Sequence, residues 1–246
     1  MHTLREQRSL LHALLDDANP VDAPTAYYAL YHDPARSSLF VSRDTGGMAT
    51  GFVGRFQTGI DLFRPLVTLR CPDADTAADL LAEALVPGRP YLLFSNLNQL
   101  ALTGGSLEIS NERILLVYVL DRARFKPEIN VLVKVSLGPG NTPRAEIKQR
   151  SGRAVASANW QSPGFTELYV DVDSEAQQKG WGRSVLLACA GAALAGGRLP
   201  IYLVEPGNTA SVRLAESAGF TDTGARHIFA DALYMGHPGR SRRARP

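Results

Sequence analysis

The feature that most constrains this chain is an order of elements that occurs twice. Residues 38–57, SLFVSRDTGGMATGFVGRFQ, place two runs of strand-forming residues around Thr45-Gly46-Gly47, a hairpin signal. Residues 144–160, RAEIKQRSGRAVASANW, repeat that layout around Ser151-Gly152, about 106 residues later. The first hairpin is followed by a predicted strand over 61–70. Asp73 and Asp75 then lead into a helix in TAADLLAEALV, where Leu80, Leu81, Ala84 and Leu85 have helical spacing. A buried-type strand YLLFS, a short helix near 98–102 and a strand over 114–120 follow. After the second hairpin the prediction is a strand over 167–173, a helix over 182–195 and a strand over 200–204. A helix over 208–218, ended by Gly219, and a strand over 227–235 complete the chain. The pattern fits a β-β-β-α-β-α-β unit used twice, although two unrelated α+β domains share it. Identities between the halves are sparse: Gly88-Arg89 before YLLF is echoed by Gly197-Arg198 before PIYLV.

Composition narrows the function. The 246 residues hold one large domain or two small ones. Lys plus Arg number 26 and Asp plus Glu 24, a net charge of +2, so a nucleic-acid partner is not expected; dedicated binders carry a strong basic excess. Two cysteines, Cys71 and Cys189, exclude a disulfide scaffold, and no Cys/His cluster points to a metal. The N-terminal stretch reads as an amphipathic helix with Leu4, Leu11, Leu14 and Leu15 on one side, without a cleavage site. The apolar run over 185–197 is short of the roughly 20 residues of a membrane span. The expected location is therefore cytoplasmic, with no membrane association. Arg240, Arg242, Arg243 and Arg245 read as a solvated tail, or else as a weak contact with an anion or nucleic acid.

The chemistry concentrates in residues 170–184, VDVDSEAQQKGWGRS. A strand runs into a turn, Gln177-Gln178-Lys179-Gly180-Trp181-Gly182, and a helix begins there. Two glycines one residue apart let the backbone turn tightly and present its N–H groups unshielded. The free N–H groups of a helix's first turn and its dipole add partial positive charge, which suits a pyrophosphate. Lys179 and Arg183 can add charge, and Gln177 and Ser184 hydrogen bonds. A dinucleotide fingerprint needs a third glycine where Val185 stands, and no P-loop pattern occurs.

A second motif follows in order: Asn208, Ser211 and Leu214, then Gly219-Phe220. Strand, Q-x-x-G-x-G, helix, strand and N-x-x-S-x-x-L-x-x-x-x-G-F together resemble the GCN5-related N-acetyltransferase (GNAT) superfamily. The resemblance covers roughly residues 144–236. It implies a mixed, mostly antiparallel sheet flanked by helices, here in tandem halves: a degenerate domain over 1–125 and a catalytic domain over 126–246. It implies acetyl-CoA as cosubstrate, no metal, and an amine of a small molecule or peptide as acceptor, attacking the thioester directly in a ternary complex. The strand carrying Val170 and Val172 is expected to pair with the pantetheine arm and to polarise the thioester carbonyl through a backbone N–H. Backbone amides of Gln178, Lys179, Gly180, Trp181, Gly182 and Ser184 are expected to hold the pyrophosphate. Asn208 is expected to reach the cofactor arm, to cap its helix, or both. Ser211 lies one turn later, as a ligand or as a simple exposed position.

The catalytic groups are less defined. Where many members carry a Tyr that protonates the thiolate, four residues before the Gly of Gly-Phe, this chain has Ala215. Tyr234 and Tyr202 are the substitutes, with strand packing as the alternative for each. Glu167 begins a strand where some relatives keep a catalytic Glu, and is the candidate base; Glu167, Asp171 and Asp173 share a face if that strand is regular. Asp173 is expected to cap the following turn, and His227 to be structural or a second candidate base. The first half has Asp73 and Asp75 where a pyrophosphate would sit, so its expected role is structural. A CoA-binding module without turnover is the alternative function. Aminoacyl transfer from tRNA is disfavoured by the near-neutral charge.

Overall fold

The structure, a computed structural model, describes residues 3–237; the arginines of the tail, Arg240 to Arg245, lie outside them. The elements are α1 (Leu4–Leu11), α2 (Ala23–Ala26), β1 (Ser37–Arg43), β2 (Ala49–Phe56), β3 (Leu66–Arg70), α3 (Ala74–Ala84), β4 (Pro90–Asn96) and β5 (Leu107–Leu120). Then come β6 (Lys134–Leu137), β7 (Pro143–Gln149), β8 (Gly152–Gln161), β9 (Phe165–Val172), α4 (Trp181–Ala195), β10 (Leu199–Val204), α5 (Thr209–Ser217) and β11 (Phe220–Tyr234). Among the described residues no helix is long and apolar enough to cross a membrane.

Two compact units divide the chain, and their limits differ from the expected break after residue 125. Among the described residues the first holds 3–114 and 226–237; the second holds 115–225. The reason is strand pairing. In the first unit β1, β2, β3 and β4 lie in order, and residues 227–233 of β11 then pair antiparallel with β4, from His227 opposite Asn96 to Leu233 opposite Pro90. In the second, residues 116–119 of β5 pair antiparallel with β10, which is followed by β9, β8, β7 and β6. The final strand residues of each sequence half thus belong to the other unit. The predicted strand over 61–70 is also shorter, beginning at Leu66. Asp61 accepts the N–H groups of Phe63 and Arg64 at 2.8 and 3.0 Å, making a local turn that competes with extension.

In the first unit α3 packs on one face of the sheet, burying Ala77, Leu81 and Ala84 against Val67, Leu69, Leu93, Ile228 and Ala230. Its N-cap, Asp73, accepts the Thr76 N–H at 2.7 Å. An aromatic cluster centres on Tyr28, whose ring centroid lies 5.8 Å from that of Phe56 and 5.6 Å from that of Phe94. His227 stacks on Phe94 at 5.3 Å, fully buried, with Thr25 Oγ1 3.3 Å from Nε2.

Burial and the nearby Arg70 push His227 down to about 4, against the pull of Asp22, so the folded protein keeps it neutral. Unfolding restores an ordinary imidazole near 6.5 and lets it take up a proton. Between those values the unfolded state binds more protons, so stability falls as pH drops from 6.5 toward 4. In urea titrations, the loss of stability from pH 7 to pH 5 is expected to shrink by about 2 kcal/mol in His227→Phe, which keeps the stack and removes the proton site. An unchanged loss would contradict this.

Candidate functional site

The site of the second unit forms where two parallel strands part. β9 and β10 pair from Phe165–Leu199 to Leu168–Tyr202 and no further. Beyond that point β9 stays on β8, out to Val172 opposite Ala154. Residues 169–172 of β9 therefore turn a free backbone edge away from β8, and Leu203 and Val204 diverge from it. A cavity of about 230 Å³ lies in the opening, lined by Glu167, Tyr169, Val170, Tyr202, Asn208 and Ser211 among others.

The turn that follows β9 is built for exposed N–H groups. Gly180 is the N-cap of α4 at φ 74°, a left-handed conformation that glycine adopts without strain; Gln178 also has positive φ, 60°. The helix begins at Trp181, and its first bond is Ser184 N–H to Gly180 O at 3.1 Å. The N–H groups of Trp181, Gly182 and Arg183 therefore precede the helical ladder. Gly182 is required for another reason. A Cβ there would lie 3.2 Å from Val172 Cγ2, so glycine lets the helix start press against β9. Val170 and Val172 accordingly turn their side chains toward α4, leaving their backbone as the part of these two residues available in the opening.

The side chains expected to add charge are already engaged. Lys179 Nζ donates to Ser151 O at 3.2 Å and lies 5.1 Å from the Trp181 ring centroid. Arg183 pairs with Glu128 and donates from Nε to Ser217 O at 3.2 Å. Ser184 departs from expectation: its N–H is used by Gly180 O, and its hydroxyl accepts from Asn130 Nδ2 at 3.1 Å. Gln177 and Gln178 are exposed. Asn208 is the α5 N-cap, its Oδ1 accepting the Ser211 N–H at 3.1 Å, and it lines the cavity as well. Asp173 stands at the N-cap position of the short turn over 174–176, yet its side chain makes no capping bond; its backbone supplies the bond, Ala176 N–H to Asp173 O at 2.9 Å.

Of the candidate catalytic groups, Glu167 is brought into the cavity and Tyr234 is not. Tyr234 is 1% exposed in the apolar cluster around α3, in the first unit, because β11 continues into that unit's sheet. His227 sits in the first unit too. Asp171 and Asp173 are exposed and do not line the cavity. Glu167 is 8% exposed, and burial pushes it up to about 7 against hydrogen bonds from Asn159 and Trp160. Asn159 Nδ2 donates to Glu167 Oε1 at 2.9 Å. Tyr202, the other tyrosine expected as a substitute acid, does reach the cavity, as does Tyr169. The Tyr202 hydroxyl bonds with Ser211, and burial with the charge of Glu167 pushes it above the ordinary tyrosine value. Ala215, at the position usual for the acid, is completely buried.

The corresponding gap in the first unit is closed. β3 and β4 pair only at Leu66–Leu92 and Val67–Leu93. Beyond, Ser95 Oγ donates to Leu69 O at 3.0 Å and Gln99 Oε1 accepts the Cys71 N–H at 2.7 Å, so side chains span the opening. Among the described residues no group of three or more His, Cys, Asp or Glu could hold a metal ion.

No family model and no curated protein matches the sequence. Solved structures do resemble it. A tandem GNAT protein from the clavulanic acid biosynthesis pathway shares 15% identity at a TM-score of 0.59, over 97% of this chain and 96% of that one. A GCN5-related N-acetyltransferase from Kribbella flavida shares 13% at 0.59, over 89% and 96%. A GNAT-family acetyltransferase from Colwellia psychrerythraea shares 13% at 0.52, over 92% and 96%. The parted strands, the glycine turn and these likenesses agree: the chain has the GCN5-related N-acetyltransferase fold, built as tandem halves.

Proposed function

We propose that the protein is an acyl-CoA-dependent N-acyltransferase that uses its second unit to move an acetyl group from acetyl-CoA to an amine. The observation that carries this is the opening of β9 from β10 in front of a glycine turn whose N–H groups precede the helical ladder. Backbone from Gln178 to Arg183 is suited to the pyrophosphate, and the edge at 169–172 to the pantetheine amides. Acetyl-CoA, when bound, supplies the thioester.

Glu167 is the base. A carboxyl near 7 is partly ionised at neutral pH and is basic enough to take a proton from the attacking nitrogen. As the N–C bond forms and the C–S bond breaks, that proton passes to the Glu167 carboxylate. The thiolate takes a proton from Tyr202, which its raised value keeps as a neutral phenol. A backbone N–H of β9 near Val170 faces the oxyanion. Because a thiol's pKa is only about 8.5, the acid is helpful rather than essential. Tyr202→Phe is therefore expected to lower kcat about tenfold with little change in the KM for acetyl-CoA; a change confined to KM would remove Tyr202 from the chemistry.

The acceptor is proposed to be a cationic amine, since among the described residues no Lys, Arg or His lines the cavity and Glu167 does. The first unit, with Asp73 capping α3 and its strand gap closed by Ser95 and Gln99, is proposed to be structural. Thiol release from acetyl-CoA across a panel of small amines and peptides, with the acetylated product identified by mass, tests the activity. Tight CoA binding without turnover of any amine would favour a binding module, the reading that Ala215 supports.

A further inference from the structure

Residue 159 interrupts the pairing of β8 with β9. Ala158 stands opposite Leu168 and Trp160 opposite Glu167, so Asn159 is an extra residue, a β-bulge. A bulge re-aims one side chain. Here it brings the Asn159 amide to 2.9 Å from Glu167 Oε1, and both residues line the cavity. Asn159 itself is exposed while Glu167 is buried. The amide thus lies on the solvent side of a carboxylate that has few other donors.

We propose that Asn159 is a positioning residue for Glu167: by donating to Oε1 it fixes the carboxylate's orientation and favours the ionised form that receives the acceptor's proton. This rests on the reading of Glu167 as base. The groups facing Glu167 are few. From β8 come Asn159 and the Trp160 indole, and from β10 comes Tyr202, coupled to it electrostatically. Tyr169 and Glu205 are the other titratable residues lining the cavity. Among the described residues no cationic side chain lines it, so neutral donors are what oppose the cost of burying the charge. Asn159 therefore bears directly on the pH at which the base is ready.

Truncation to Ala would both remove the donor and admit water, two changes of opposite sign. Asn159→Leu and Asn159→Asp keep the volume and remove the donor. A titration of Glu carboxyl carbons by NMR, with Glu167→Gln to assign the signal, reads the group directly. In both variants the Glu167 midpoint is expected to move up by about one pH unit, and further in Asn159→Asp because a second carboxylate repels the first. The acid limb of kcat/KM is expected to move with it, giving roughly tenfold lower kcat/KM on the acid side of the midpoint. A Glu167 midpoint unmoved in Asn159→Leu overturns the proposal. A midpoint that moves while the acid limb stays fixed overturns instead the assignment of Glu167 as base, and with it the catalytic role of Asn159.

Discussion

Gly180→Asp is expected to weaken CoA binding by at least a hundredfold while leaving the protein folded. The substitution acts at the N-cap of α4, where the proposed pyrophosphate site has backbone N–H groups as its principal donors. The effect is electrostatic before it is steric. Nothing lies within 4 Å of a Cβ added at Gly180, so the free protein has room for the side chain. Two unit charges 4 Å apart at an effective dielectric of 20 repel by about 4 kcal/mol, close to a thousandfold in affinity, and screening at an exposed turn reduces this. The conformation adds a cost common to any side chain, since φ 74° disfavours residues other than glycine by about 1–2 kcal/mol. Gly180→Ala carries that cost without the charge and is the control. Titration calorimetry with CoA should place Gly180→Ala close to wild type and Gly180→Asp far below it. Equal losses in both would make the turn's shape, and not its charge, the determinant.

Glu167→Gln is the second large effect, and it should appear in two properties with opposite sign. Removing a positioned general base typically costs 100- to 10,000-fold, and the acid limb of the rate profile near pH 7 should vanish. CoA affinity should stay close to wild type, because the carboxylate is not part of the pyrophosphate turn. Stability should rise. Glu167 is pushed up to about 7 in the folded chain, so the folded state holds its proton more tightly than the unfolded one. Its contribution to stability is present in full below about 4.5 and is lost as pH rises through 7. Above that range the buried carboxylate is a liability, and Glu167→Gln is expected to be more stable than wild type at pH 8 by about 3 kcal/mol. A variant that loses activity without gaining stability would mean that Glu167 is more exposed to water than its 8% accessibility conveys.

These two residues also mark how far a sequence can be read. Gly180 and Gly182 were legible because their demands are local: one adopts a backbone conformation that side chains resist, and the other sits where β9 and α4 nearly touch. Asn208 was legible for the same reason, as the cap that closes the start of α5. Glu167 could be named from the family resemblance at the start of its strand, but not its burial, nor its bond to Asn159, which sits at a bulge on a neighbouring strand. Nothing in the residues around Asn159 announces that bulge; a polar residue between Ala158 and Trp160 looks like an ordinary outward position. Tyr202 and Tyr234 show the same limit more sharply. Both are tyrosines on buried strands, and periodicity treats them alike. Strand pairing separates them, because residues 226–234 complete the first unit while β10 lies beside the opening in the second. Which strand a segment chooses as its neighbour is decided by long-range pairing, and that choice leaves no mark in local pattern.

The same pairing explains why the halves look repeated and differ in chemistry. Each has a parallel pair that begins together and then parts. In the second, the parting leads into the glycine turn and is left open. In the first, it leads into Asp73, whose carboxylate is spent on capping α3, and Ser95 and Gln99 cross the gap. An acidic N-cap stabilises a helix and repels a polyanion, so the turn chemistry after β3 is unsuited to the anion proposed for the turn after β9.

Both predictions depend on where CoA binds, and a crystal structure with CoA measures that directly. The predicted result is one CoA per chain, its pyrophosphate within hydrogen-bond distance of the N–H groups from Gln178 to Arg183, and its pantetheine arm along residues 169–172 with the thiol end toward Glu167. CoA bound in the first unit, or in the second unit away from the Gly180 turn, would contradict it.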